Sequence, residues 1–228
     1  MQKDEMTDNL QKIRDIVARY DREITLIAAT KTQPKRVIDE FMSIAPDFVL
    51  GENKVQELLQ KYDAEYKWHF IGQLQTNKVK YIVDKVDLIH SLDRIELAKE
   101  IEKQARKQNK VQDCLVEINM GAEISKGGVA ADEAVGFIKS LAEFEHLRVV
   151  GLMSVMPNLG DSKELHGLYN RLYSLFEQAK LIEQKNVDVR YLSAGMTNDF
   201  EIALEHGANM IRLGRALFGE RVYAKKDI

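Results

Sequence analysis

The chain has 228 residues, 45% hydrophobic and 30% charged, which is enough apolar material for a large core. A formal net charge of −3 with lysines and glutamates interspersed leaves no basic footprint for nucleic acid, and no apolar run is long enough to span a membrane. The single cysteine, Cys114, excludes an intrachain disulfide and reads as a small buried thiol, and the opening Met1-Gln2-Lys3-Asp4-Glu5 lacks the apolar core of a signal peptide, so a cytoplasmic location is expected.

Residues 8–20 put Leu10, Ile13, Val17 and Tyr20 on one helical face ahead of the first strand, and capping the open bottom of a barrel is one use for such a helix. Strand-length apolar runs then recur at 24–30, 47–51, 68–72, 88–92, 114–119, 149–155, 191–194 and 210–214. Helical patterns separate them at 34–44, 54–62, 95–107, 132–144, 163–183 and 198–206. Strict alternation predicts parallel strands with crossover helices, and eight units are the number that closes a (β/α)8 TIM barrel with an extra N-terminal helix. The alternative, an open doubly wound sheet, would carry a glycine-rich loop where this chain has Lys31-Thr32-Gln33. Three prolines and no linker-like stretch favour one domain over 1–228.

A barrel gathers its functional groups at the carboxyl ends of its strands. Lys31 ends strand one, where desolvation lowers an amine's pKa and makes it a nucleophile toward a carbonyl; a plainly solvated strand-end lysine is the alternative. Glu52-Asn53 follows strand two, Ser193-Ala194-Gly195-Met196-Thr197 ends strand seven, and Arg212-Leu213-Gly214-Arg215 ends strand eight. The last two loops suit a phosphate: Ser193 offers a hydroxyl, Gly195 and Gly214 allow close backbone approach, Thr197 or Asn198 can cap the next helix, and Arg212 and Arg215 add charge. The same glycines also serve tight strand-to-helix turns. Strand one closes against strand eight, so amine and phosphate cradle meet. The pair fits a sugar phosphate, as in Schiff-base aldolases, or pyridoxal 5′-phosphate (PLP), for which Arg212 could face the ring nitrogen.

The segments ATKT at 29–32, GENKVQE at 51–57, WHFIGQLQTNK at 68–78, HSLD at 90–93, GLM at 151–153, LSAGMTNDF at 192–200 and IRLGRALFG at 211–219 resemble the YggS/PROSC family of PLP homeostasis proteins. The resemblance implies a barrel similar to the N-terminal domain of alanine racemase, with PLP held as an imine. It puts the cofactor lysine on Lys31, the asparagine beside the ring on Asn53 and the phosphate-binding serine on Ser193. The arginine facing the pyridine nitrogen falls on Arg212, and backbone amides meeting the phosphate fall on Gly214 and Arg215. Two positions depart from the family pattern: Ala194 replaces the usual methionine, and Arg215 replaces a serine or threonine. The backbone amide at 215 survives that change, whereas side-chain contact with the phosphate is left open.

The expected function is a carrier that stores, buffers and delivers PLP to apo PLP-dependent enzymes, as a monomer, rather than an enzyme. A two-base racemase needs a proton acceptor on each face of its substrate; in alanine racemase the second is a tyrosine from a separate C-terminal domain, and only nine residues follow Gly219 here. An arginine at the ring nitrogen also favours the unprotonated ring and weakens carbanion stabilisation. His69 and His90 read as packing residues and Tyr191 as an ordinary strand residue. Glu123, Ser125 and Lys126, flanked by Gly121, Gly127 and Gly128, form a solvated loop that could close over the site.

Overall fold

The structure is a computed structural model and describes residues 3–121, 127–159 and 162–219. Helix α1 (Lys3–Val17) leads into β1 (Thr25–Ala29), α2 (Lys35–Ile44), β2 (Val49–Glu52), α3 (Val55–Lys61) and β3 (Trp68–Phe70). A 3-10 helix at Thr76–Tyr81 connects to β4 (Leu88–Leu92), followed by α4 (Ile95–Lys107), β5 (Gln112–Asn119) and a two-residue strand, β6 (Val129–Ala130). The remaining elements are α5 (Ala134–Ser140), β7 (Leu147–Ser154), α6 (Ser162–Lys180), β8 (Val187–Ser193), α7 (Phe200–Glu205), β9 (Met210–Leu213) and α8 (Arg215–Phe218).

Eight of the strands run parallel and close on themselves: β1 pairs with both β2 and β9, and β4 joins β5 to complete the ring. This is the (β/α)8 barrel expected from the alternating pattern. β6 lies outside the ring, paired with Ile118 and Asn119 at the end of β5. Two residues are too few to leave a periodic signal. The third crossover is a 3-10 helix burying only Val79, so its residues carry no helical apolar stripe.

Each strand divides its side chains between two cores. On β1, Leu26 and Ala28 join the outer core beneath the helices, while Ile27 faces the barrel interior with Val49, Leu88, Leu115, Val150, Met153 and Met210. Burial on both faces explains why the strands read as continuous apolar runs. β8 is the exception. Its first half alternates between exposed and half-buried side chains, so only 191–194 read as a strand in sequence. Helix α1 buries Met6, Leu10 and Ile13 and packs against α2 and α8 in the outer layer, instead of closing the barrel bottom. No helix among the described residues is long and apolar enough to cross a membrane.

Candidate functional site

The carboxyl ends of the strands surround a cavity of about 590 Å³, within the range of small-molecule sites. Lys31, Asn53, Thr197, Arg212, Gly214 and Arg215 line it. Parallel pairing of β1 with β9 sets Ile27 beside Arg212, which brings the two ends of the chain together at one corner of the mouth.

Lys31 sits in the turn after β1, half-buried, between the fully buried Thr30 and the exposed Thr32. Thr32 has φ +67, a left-handed conformation uncommon for a β-branched residue. On the neighbouring strand, Glu52 is buried and its Oε2 accepts the Asn53 backbone N–H at 3.0 Å. Asn53 is pressed against Gly72: a Cβ there would stand 2.1 Å from the Asn53 carbonyl oxygen, so only glycine lets the two strand ends come this close. Asn53 Oδ1 is buried and takes no hydrogen bond in the protein. A buried amide oxygen without a donor is costly, and its place in the cavity wall marks a position where a ligand group would satisfy it.

Arg212 crosses the barrel interior only 4% exposed. Its Nη1 donates to Ser193 Oγ at 2.7 Å and its Nη2 to the Ser154 carbonyl at 2.8 Å. Burial lowers its pKa, opposed by Tyr169, Asp199 and Glu117. Behind Ser193, His90 Nδ1 lies 3.1 Å from Ser193 Oγ, and His90 Nε2 lies 3.1 Å from His69 Nδ1. Arginine can only donate, and the direction that also uses the Ser193 hydroxyl proton runs from Arg212 to Ser193, from Ser193 to His90, and from His90 to His69. Both imidazoles must then be neutral. Burial has that effect, pushing His69 down to about 3, with Lys67 adding to it, and holding His90 well below its ordinary value through burial, His69 and Arg212. The pair read in sequence as packing residues is therefore a hydrogen-bonded support for Arg212, visible only once the closed ring sets β8 across the barrel interior from β3 and β4.

The two loops on the other side of Arg212 are tied to each other. Gly195, at φ +90, packs where a Cβ would lie 2.6 Å from that of Ala203, and its carbonyl accepts the Arg212 backbone N–H at 3.1 Å. Thr197 Oγ1 accepts the Ala216 N–H at 3.1 Å, and Arg215 Nη2 donates to Asn198 Oδ1 at 3.1 Å. Thr197 thus holds α8 rather than capping α7, whose start is organised by Asp199 through bonds from Met196 N–H and Tyr169 Oη. Ser193 and Gly195 lie behind the cavity wall, while the other five residues singled out in sequence line it. Thr197 is the lining hydroxyl in this loop.

Other sequence candidates fall elsewhere. Tyr191 is half-buried against the interior core. Cys114 is buried, which raises its thiol pKa and makes it a packing residue. Glu123, Ser125 and Lys126 lie outside the described residues. One interior group had no sequence signal: Glu117 on β5, whose carboxyl is pushed up to about 7 by burial and Asp93, against the pull of Arg212.

Residues 1–222 match the family described as alanine racemase, N-terminal domain. The chain is 44% identical over 220 residues to the pyridoxal phosphate homeostasis protein of Aquifex aeolicus, covering 95% of each sequence. The chain belongs to the pyridoxal phosphate homeostasis family. A second family member, from Pasteurella multocida, is 33% identical over 228 residues and covers 97% of both chains. Among solved structures, PipY of Synechococcus elongatus with PLP bound is similar to this chain with a TM-score of 0.82 and 25% identity, covering 94% of this chain and all of PipY. A family barrel of this kind gives the cavity a ligand chemistry against which its residues can be tested.

Proposed function

We propose that this chain binds PLP covalently through Lys31 and serves in the cell to store, buffer and deliver that cofactor. The observation that carries the reading is the orphaned Asn53 amide in one cavity with Lys31 and the buried Arg212. The naming of the relatives and the PLP-bound PipY structure support it.

The residues present fit the group. Lys31, which lines the cavity, would hold the group through its amine. Asn53 would present its free amide oxygen to the ring hydroxyl, the donor that the protein does not supply. Arg212, held from behind by Ser193 and Ser154, presents a donor to the ring nitrogen and so leaves that nitrogen unprotonated. Thr197, Gly214 and Arg215 line the phosphate side; Gly195 fixes that loop from behind, and Ser193 acts through Arg212. When bound, the cofactor supplies an electrophilic aldehyde and an electron-accepting ring. An obligate donor at the ring nitrogen weakens the second of these, which suits a carrier better than a racemase. The barrel acts as one PLP-binding domain, a monomer whose partners are apo PLP-dependent enzymes in the cytoplasm.

The test is colour. Purified protein mixed with PLP should turn yellow and stay so through desalting, whereas Lys31→Ala should lose the colour; protein that stays colourless sinks the reading. The carrier role predicts reactivation of an apo PLP-dependent enzyme by loaded protein, with no measurable exchange of the α-hydrogen of alanine in deuterated water.

A further inference from the structure

We propose that Glu52, Glu57 and Lys61 form a positioning device for Lys31, clamping the backbone on both sides of that residue, and the Asn53 amide, so that the Lys31 amine meets the ligand aldehyde in a fixed geometry. The inference rests on the proposed function and assigns work to three residues that touch no part of the cavity.

Lys61 ends α3 with its side chain 9% exposed, and its ammonium has an acceptor for each of its three protons: Glu52 Oε1 at 2.6 Å, Glu57 Oε2 at 3.0 Å and the Thr30 carbonyl at 3.0 Å. Glu52, fully buried, also accepts from Thr30 Oγ1 at 2.9 Å and from the Asn53 N–H. Glu57 Oε2 accepts the Thr32 N–H at 2.8 Å. Among the described residues, the side-chain hydrogen bonds that leave the cluster thus end on Thr30, Thr32 or Asn53, the residues that carry or flank the two polar groups of this side of the cavity; the one ion-pair contact beyond them, Glu57 with the exposed Lys54 at 4.0 Å, is a solvent-facing one.

The cluster does more than stabilise the core. A buried ion pair is weak evidence for stability, because apolar side chains of similar volume often serve a core as well. Apolar side chains could not accept the N–H groups of Thr32 and Asn53 or donate to the Thr30 carbonyl. The backbone at Thr32 points the same way. A β-branched residue at φ +67 costs about 1–3 kcal/mol and persists only where the surroundings over-determine it, and Glu57 supplies that constraint one residue from the amine. Strain held beside a reacting group is a means of pre-organisation, and misplacing such a group by an ångström can slow a reaction by about 100-fold.

Glu57→Ala removes the clamp at a partly exposed side chain, and Glu52→Gln with Lys61→Met dismantles the ion pair without stranding a charge. Two ligands separate positioning from general damage: PLP, and pyridoxine 5′-phosphate, which keeps ring and phosphate but has no aldehyde. Both variants should slow colour formation with PLP by about tenfold or more, while calorimetric binding of pyridoxine 5′-phosphate stays within about twofold of the parent. Glu57→Gln, which keeps an acceptor for Thr32, should recover most of the rate. An unchanged rate in Glu57→Ala, or a parallel loss of both ligands, overturns the inference and leaves the cofactor reading standing. Parent protein that takes up neither ligand overturns the cofactor reading and the inference together. If the double variant does not fold, Glu57→Ala and Glu57→Gln decide the matter.

Discussion

Two buried polar networks flank the cavity, and they are built on opposite principles. The one under Lys31 is made of full charges, two carboxylates and an ammonium, and its contacts end on the backbone of Thr30, Thr32 and Asn53 and on the Thr30 hydroxyl. The one under Arg212 is a file of neutral groups, Ser193, His90 and His69, and its contacts end on a side chain. A network that fixes a turn needs strong acceptors for main-chain N–H groups, which carboxylates provide. One that fixes a guanidinium needs an acceptor that does not neutralise it, and a neutral hydroxyl backed by imidazoles leaves the full positive charge available to a ligand.

The contrast is sharpest in Lys61→Met. Removing the ammonium alone strands the fully buried Glu52 carboxylate and should cost about 3–5 kcal/mol in denaturant unfolding, most of it recovered when Glu52→Gln is added. A loss below about 1 kcal/mol would show that water replaces the lysine and that the cluster is not dry.

Gly72→Ala tests the junction between the networks. Its Cβ would overlap the Asn53 carbonyl, so the strand end must move, and a loss of about 1–3 kcal/mol accompanied by weaker PLP uptake is expected. Full stability with full uptake would mean that the close approach of β2 and β3 is dispensable.

The neutral network predicts an acid response. His69 folds with its pKa lowered to about 3 from 6.5, so the unfolded chain binds a proton that the folded chain refuses between these values. The stability is intact above the unfolded value and falls as pH drops below it, by at most about 1.4 kcal/mol per pH unit for this group. Thermal melts from pH 7 to pH 4 should show a shallower decline in His69→Gln than in the parent. Equal slopes would exclude His69 as the source. Glu57 also folds with a lowered pKa: burial opposes ionisation but is outweighed by the Thr32 N–H and Lys61. Its contribution is present above the unfolded value of 4.5 and is lost as pH falls through the folded one, beginning inside the lower part of the histidine window. The smallest effect is expected for Arg215→Ala, which loses an exposed bond to Asn198 and should change stability by less than about 0.5 kcal/mol.

The barrel was legible because each strand is buried on both faces and each crossover long enough to show its period. That Lys31, Asn53 and Arg212 share one cavity was legible too, since a strand end in a barrel fixes where a residue points. What sequence could not show is depth. Ser193 ends its strand as a phosphate ligand should, yet it is fully buried and bonded to Arg212, while Thr197, four residues on, reaches the cavity. The ion cluster left one local trace, the i, i+4 spacing of Glu57 and Lys61, but its decisive contacts join Lys61 to Thr30 and Glu57 to Thr32 across separate strand and helix units.

The pairing of β1 with β9 has a consequence for the order in which the protein is made. Lys31 leaves the ribosome among the first parts of the barrel and Arg212 among the last, and parallel pairings of such long sequence separation form slowly. An incomplete chain can carry the amine without the guanidinium that faces it. Tight capture of the ligand should therefore report that synthesis has finished and the ring has shut, and the ligand, by binding only the shut form, should bias a newborn chain toward closure.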